Sequence, residues 1–299
     1  MSYPLHITDI PYATHTRLNT LDIWLPRPLA DSPKDAVWVI YIHGGAWRDP
    51  LIAASSIRPT IQHLQTRHSA LLPRIAAIAS LHYRLSPYPS HPTHPTTLPT
   101  NSIEAALEGR SVAHPTHRDD VLAALRWLKT SCGVGVEREF VMLGHSCGAT
   151  LAVQVLPLLA AEGERAMRPR AVAGVAGIYD MPRFAGNHAD VPVYAEILAG
   201  AFGGTGGHVD EAMREEWDEA SPVRVARVDK MAGVRKLLLA QSRADGLVEW
   251  EQVELMREAV QETEGAGVVE TLEIGGQHDE CWETGEGLAR VVERVLEGL

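Results

Sequence analysis

The pentapeptide Gly144-His145-Ser146-Cys147-Gly148 follows directly on the apolar run 140–143 (FVML), and no other segment constrains the chain as strongly. The pattern G-x-S-x-G, after a buried-strand run and before an Ala- and Leu-rich stretch, fits a strand that turns sharply into a helix. Such a turn lifts the serine hydroxyl above a sheet edge, where a substrate can reach it. A side chain at either glycine would clash where the backbone folds back on itself. The bare pattern also fits an ordinary glycine-rich loop, so its meaning depends on what the rest of the chain supplies.

A serine nucleophile needs a base, and the base needs a carboxylate to fix its tautomer. In hydrolases with this kind of elbow the chain order is Ser, then Asp or Glu, then His. Residues 234–240 (VRKLLLA) read as a short buried strand, with Asp245 in the loop past its carboxyl end. Residues 268–274 read as another strand, leading through Gly275-Gly276-Gln277 into His278. Ser146, Asp245 and His278 therefore all fall on loops at one edge of a parallel sheet, where open α/β sheets place their ligands. Asp180, after the apolar stretch 172–178, and Asp279, beside the histidine, compete with Asp245 for the acid. Thirteen further histidines compete with His278, but most precede the serine or sit in proline-rich loops. His145, the variable position of the elbow, is expected to point away from Ser146. Cys147 is a rival nucleophile by chemistry, but the position after the serine suits a small, inert, inward-facing thiol.

An oxyanion hole is the third requirement. The run Val37–Ile42 (VWVIYI) is β-branched and aromatic and leads into His43-Gly44-Gly45-Ala46-Trp47. Glycines there let the backbone N–H groups of Gly44 and Gly45 face a developing oxyanion without obstruction, and the N–H of Cys147 is the third expected donor.

Taken together, these features resemble the α/β-hydrolase superfamily across nearly the whole chain. Within it, His43-Gly44-Gly45-Ala46-Trp47 followed by Asp49-Pro50, and the later His114-Pro115-Thr116-His117-Arg118-Asp119-Asp120, are similar to kynurenine formamidases of the fungal type. Esterases of the hormone-sensitive-lipase group carry His-Gly-Gly-Gly and Gly-Asp-Ser-Ala-Gly instead. The departures at Ala46, His145 and Cys147 move the match toward formamidase. His82-Tyr83-Arg84-Leu85-Ser86-Pro87 is shared in type by both groups. The resemblance implies a mostly parallel twisted sheet with helices on both faces. It also implies hydrolysis of N-formyl-L-kynurenine to L-kynurenine and formate, with no metal and no organic cofactor. A carboxylesterase acting on short acyl esters is the alternative with the same chemistry. A catalytically silent binding protein fits poorly, because every catalytic position is filled. Trp47, beside the glycines, either stacks on the kynurenine ring or packs the loop. No residue stands out as the partner of the amino-acid head group.

At 299 residues the chain suits one large α/β domain spanning 1–299. The net charge of −11 argues against nucleic acid and anionic membrane as partners, leaving a small-molecule substrate. Charge is uneven: residues 1–100 carry +3 and the remainder −14, which reads as acidic, solvated helix faces. A homodimer is compatible with all of this. No apolar run of membrane-spanning length and no secretory leader is visible. Three cysteines suit a reducing compartment, hence the cytoplasm.

Residues 20–25 alternate like an early antiparallel strand, and Ile75–Leu81 reads as buried. Residues 51–72 read as helical around Ile57, Ile61 and Leu64, and 149–159 as a continuation of the elbow helix. Another helix is expected from Thr116, with Asp119 completing a capping box, and two more around 250–260 and 283–297. Two irregular excursions, 85–116 with its His-Pro repeats and 182–221 with its glycines, are expected to cover the site. Neither reads as a metal or phosphate site, since carboxylates or cysteines are not interleaved and no Lys follows.

Overall fold

The computed structural model describes residues 2–96, 103–163, 167–204, 209–265 and 267–299. Its frame is one sheet of eight strands, β1 (Leu5–Pro11), β2 (Thr20–Leu25), β3 (Val37–Ile42), β4 (Ile75–Leu81), β5 (Phe140–His145), β6 (Ala171–Val175), β7 (Lys236–Gln241) and β8 (Val269–Glu273). They lie in the order β1-β2-β4-β3-β5-β6-β7-β8. β2 runs antiparallel to both β1 and β4, and every later pairing is parallel. This is an α/β-hydrolase fold. The stretch 20–25 is antiparallel as its alternation predicts, whereas β1, largely exposed, left no apolar pattern to read.

All six residues of β3 are buried, as expected of a strand covered on both faces. Alternate residues feed two separate cores. Trp38, Ile40 and Ile42 join one with Phe140, Met142, Leu237 and Leu239; Val37, Val39 and Tyr41 join the other with Val141, Leu143 and Leu238. Helices Thr116–Cys132, Cys147–Gln154 and Glu251–Glu264 cover the first face through Leu125, Leu151 and Met256. Helices Arg58–Thr66 and Glu286–Glu297 cover the second through Ile61, Leu64, Val291 and Val295. At about 25 cal/mol per Å² of apolar surface, a fully buried leucine or valine contributes roughly 1.5–3 kcal/mol, so these stripes hold the helices to the sheet.

Three local expectations are corrected. The helix at Thr116 starts there, but Pro115 occupies the cap and no side chain caps it. Asp119 instead pairs with Arg118, so the capping box does not form. The stretch 149–159 is two helices, Cys147–Gln154 and Leu156–Ala160, because Pro157 has no N–H to continue the first. Residues 51–72 hold a helix only over Arg58–Thr66, flanked by 3₁₀ turns. No helix among the described residues is long and apolar enough to cross a membrane.

Candidate active site

Since β3, β5, β7 and β8 run parallel, their carboxyl ends share one edge of the sheet, and His43, Ser146, Asp245 and His278 all follow those ends. At the end of β5 the chain turns through Ser146, with φ 53° and ψ −126°, before entering the helix Cys147–Gln154. A non-glycine residue seldom holds that conformation, and such strain costs of order 1–3 kcal/mol. The elbow closes by backbone contact. A Cβ on Gly144 would lie 2.3 Å from the Gly148 carbonyl oxygen, and one on Gly148 would lie 2.2 Å from the oxygen of Ile42. The two glycines are therefore required by close approach, as the motif predicts. The Ser146 N–H donates to the Val175 carbonyl at 2.8 Å, which ties the elbow to β6.

Asp245 and His278 meet. His278 Nδ1 lies 2.8 Å from Asp245 Oδ2, and both side chains are buried. The other carboxylate oxygen accepts from the N–H groups of Leu247 and Val248 at 2.8 and 3.0 Å, and Gln241 Nε2 reaches Oδ2 at 3.2 Å. Burial alone would push this carboxyl up. The His278 hydrogen bond and charge, helped by the two N–H groups, outweigh it and hold Asp245 below the ordinary carboxylate range. Asp180 is engaged elsewhere, capping the helix Met181–Asn187 with its side chain accepting from the Arg183 N–H. Asp279 takes the indole N–H of Trp282 at 2.9 Å.

His145 reaches the loop of the base. Its Nε2 lies 3.0 Å from the His278 carbonyl oxygen, and the two rings sit 4.9 Å apart. Burial holds its pKa down to about 3, so the ring is neutral with its hydrogen on Nε2. No pattern in the sequence signals this contact.

The His-Gly-Gly segment is fastened from below. Tyr83 stacks on His43 at 4.4 Å, and its hydroxyl donates to the carbonyls of His43 and Gly44, each at 3.0 Å. His43 Nδ1 also donates to the Gly44 carbonyl, at 2.8 Å. A Cβ on Gly44 would fall 2.7 Å from His145 Nδ1, so the segment lies tight against the elbow. Gly44, Gly45 and Cys147 donate their N–H groups to no carbonyl among the described residues. The Cys147 thiol faces inward, accepts from the Trp47 N–H at 3.3 Å and is pushed up to about 11 by burial. Behind this layer, Arg84 grips Asp120 through Nε and Nη2 at 2.8 and 2.6 Å, and Ser86 meets His117 at 3.1 Å. The two His-containing motifs thus brace one another and, through Tyr83, the glycines.

Ser146 and His278 line one cavity of about 390 Å³ with Gly45 and Ala46. The Ser146 hydroxyl makes no hydrogen bond to His278 in this conformation; such contacts often tighten only around a substrate. Most of the wall is apolar, with Ile178, Phe184, Tyr194, Ile197 and Val248, and Tyr88 at one side. Phe184, Tyr194 and Ile197 come from the excursion 182–221 and line the cavity. Trp47 does not reach the cavity. Its ring is 3% exposed and belongs to the core on the elbow-helix side, which corrects the stacking expectation. Tyr88, Phe184 and Tyr194 supply the aromatic wall instead; none lies in a motif that singles it out. Among the described residues, two clusters bring potential metal ligands together, His145-His278-Asp279 and Asp9-Asp22-His82. In the first, His278 Nδ1 is held by Asp245 and His145 Nε2 by a carbonyl.

A serine on a strained elbow, facing a cavity shared with an Asp-paired histidine and N–H groups turned to no carbonyl, can perform acyl transfer to serine and then to water. Sequence comparison narrows the chemistry. The chain is 35% identical over 302 residues to the kynurenine formamidase-like hydrolase fscH of Fusarium equiseti, covering 97% of this chain and 94% of that one. The chain belongs to the kynurenine formamidase family. It is also 34% identical over 307 residues to the kynurenine formamidase avaC of Aspergillus versicolor, across 96% and 98% of the two chains. A kynurenine formamidase of Meyerozyma guilliermondii is 28% identical over 75% of this chain and 71% of its own. No protein-family model matches. Among solved structures, esterase B of Lactobacillus rhamnosis superposes with a TM-score of 0.65 at 17% identity, over 98% of this chain and 85% of that one. A carbohydrate esterase from gut microbiota superposes with a TM-score of 0.63 at 18% identity, over 99% and 97%. At such identity these two speak for the fold alone. Family membership makes this chain a hydrolase.

Proposed function

We propose that this hydrolase cleaves N-formyl-L-kynurenine to L-kynurenine and formate, with Ser146 as nucleophile, His278 as base and then acid, and Asp245 as its orienting carboxylate. The observation that carries the reading is the company Ser146 and His278 keep: a 390 Å³ cavity whose wall is apolar and aromatic, in a chain of the formamidase family. An N-formyl anilide presents a small acyl carbon to Ser146 and a flat arylamine to that wall. His278 takes the serine proton as Oγ bonds to the formyl carbon, and its ionised form is stabilised by Asp245. The oxyanion then formed is met by the N–H groups of Gly44, Gly45 and Cys147. As the C–N bond breaks, His278 returns the proton to the leaving amine; a water, deprotonated by the same ring, releases formate. No step calls for a metal or organic cofactor. The cytoplasm suits three thiols that are all free.

The test compares kcat/KM for N-formyl-L-kynurenine with that for p-nitrophenyl acetate. Preference for the formanilide supports the reading. Preference for the ester by orders of magnitude replaces it with a short-chain carboxylesterase using the same residues.

A further inference from the structure

The cavity that holds Ser146 and His278 contains a single cation among its described lining residues, Arg48. Its side chain is only 5% exposed. A cation in a mostly apolar pocket is costly unless its donors are answered. Yet among the described residues one carboxylate answers it: Nη1 donates to Glu196 Oε1 at 2.8 Å, and that glutamate is itself 44% exposed. Beyond this pair, the guanidinium lies over the Tyr88 ring, 4.0 Å from its centroid. A planar fork with five donors, flat against an aromatic face and held by one partly hydrated acid, keeps donors in hand for a second carboxylate.

The backbone aims it there. Ala46 and Trp47 both have positive φ, 51° and 58°, and the N–H groups of Arg48 and Asp49 close back on the Gly45 carbonyl at 2.9 and 2.8 Å. This tight turn sends the Trp47 ring into the core and the next side chain into the cavity. Trp47 is pinned by its N–H to Cys147 and by its carbonyl, which accepts from the Ser86 N–H at 2.8 Å. Arg48 thus projects from the same rigid segment that carries Gly44 and Gly45, so a group it holds is fixed relative to Ser146. Glu196 reaches Arg48 from just beyond the cavity lining, on the helix Pro192–Ala201 whose Tyr194 and Ile197 belong to the apolar wall. The acids that line the cavity, Asp49 and Asp279, are engaged: Asp49 takes the Leu51 N–H and faces His91, and Asp279 holds Trp282.

Resting on the formamidase reading, we infer that Arg48 and Glu196 form the head-group site, Arg48 taking the α-carboxylate of an aromatic amino acid and Glu196 its α-ammonium. An ion pair on the protein is complementary to a zwitterion, since each charge of the ligand meets its opposite while the pair opens by one bond. With the arylamine against Tyr194 and Phe184, the site then discriminates for amino-acid formanilides over simple ones. Arg48 is a specificity residue and takes no part in bond making.

Three substrates decide it: N-formyl-L-kynurenine, its decarboxylated analogue N-formylkynurenamine, and 2-formamidoacetophenone, which lacks the head group. The wild-type enzyme is expected to lose about 10- to 100-fold in kcat/KM, mostly through KM, when the carboxylate is removed, the range for a charge-assisted hydrogen-bond pair. Arg48→Met is expected to lose as much on N-formyl-L-kynurenine, and to turn over N-formylkynurenamine within about threefold of wild type, the two deletions being non-additive. Glu196→Gln, on a half-exposed helix face that threatens no fold, is expected to weaken both amine-bearing substrates and spare 2-formamidoacetophenone. Equal wild-type kcat/KM on all three formanilides overturns the head-group site and leaves the formamidase reading standing, as does an additive loss in Arg48→Met. A wild-type enzyme that cleaves p-nitrophenyl acetate and none of the three overturns both.

Discussion

His145 Nε2 donates a 3.0 Å hydrogen bond to the backbone carbonyl of His278, so the nucleophile elbow and the loop of the base are joined by the residue that precedes the serine. The loop it steadies leaves β8 through Gly275 and Gly276 and is held also by Asp245 at His278 Nδ1 and by Glu280 at the Gln277 N–H, while Cys281 Sγ reaches the same carbonyl at a long 3.5 Å. Replacing His145 by Leu keeps the volume and removes the donor. The expected result is a loss of roughly 1–3 kcal/mol in stability, the cost of a buried carbonyl left with only the long thiol contact, and about a tenfold drop in kcat on amide and ester alike. Chemical denaturation and steady-state rates check it. An unchanged kcat would mean that the His278 loop holds its place without the elbow.

Ser146 sits in a backbone conformation that its side chain opposes, φ 53° and ψ −126°. Ser146→Ala is expected to abolish turnover, by about 10⁴-fold or more, and to leave the fold intact. Ser146→Gly is expected to be equally inactive yet more stable than the alanine variant. Relief of about 1–3 kcal/mol of strain exceeds the roughly 0.4–1 kcal/mol that glycine loses through its freer unfolded chain. Comparing the two Tm values checks this, and a less stable glycine variant would show that the elbow is held without strain.

Cys147 lies beside the nucleophile in sequence but faces the core, against Tyr83 and the Trp47 N–H. Burial pushes its thiol up to about 11, so near neutral pH the thiolate is scarce and shielded. N-ethylmaleimide at about pH 7.5 is therefore expected to leave activity intact, with mass spectrometry finding any adduct on half-buried Cys132. Inactivation that tracks labelling of Cys147 would reopen it as a nucleophile.

Chain order and strand periodicity point to Ser146, Asp245 and His278 because each follows a short apolar run, and a parallel sheet brings the ends of such runs to one edge. The same reasoning reaches Gly44 and Gly45, whose strand fills both cores. It cannot reach contacts made by a side chain whose partner is a distant backbone atom, as with His145 and Tyr83. Nor does it show that two consecutive positive-φ residues swing Trp47 into the core and Arg48 into the cavity. The place of Trp47 beside the glycines makes the large aromatic ring the natural ligand contact when the sequence is read alone. The wall residues Phe184 and Tyr194 come from short helices of an insertion with weak periodicity, where placement depends on packing against Glu249 and Glu251 through Asn187 and His188.

The choice between Asp245 and Asp180 can be tested directly. Asp245 accepts from His278, while Asp180 caps a helix. Asp245→Asn is expected to lose about 10⁴-fold in kcat, since an amide opposite Nδ1 favours the wrong tautomer. Asp180→Asn keeps a side-chain oxygen at the cap and is expected to stay within a few-fold of wild type. The opposite ranking in kcat would assign the acid to the loop after β6.

Buried imidazoles set the response to acid. Burial lowers His43, His117 and His145 each from 6.5 to about 3 and His114 to about 4, and it lowers His82 as well, so these rings are neutral in the folded protein wherever the unfolded chain begins to protonate. Because the folded values are depressed, the unfolded state binds more protons between those limits. The stability is complete above about pH 6.5 and is lost as pH falls toward 3. Each ring contributes a slope of about 1.4 kcal/mol per pH unit once its unfolded form is charged, so His43, His114, His117 and His145 together give about 5–6 kcal/mol per unit. A fold of ordinary stability, about 5–15 kcal/mol, is then expected to open near pH 4 to 5, before most carboxylates titrate. Asp245, held below the ordinary carboxylate range, acts in the same direction but only at lower pH. The decisive variant is His117→Gln, away from the elbow, where glutamine can still meet Ser86. It is expected to cut the slope of stability against pH, from urea midpoints between about pH 7.5 and 4.5, by about one quarter. A slope that His117→Gln leaves unchanged would mean that the His117 ring is already charged in the fold and contributes nothing to the acid response.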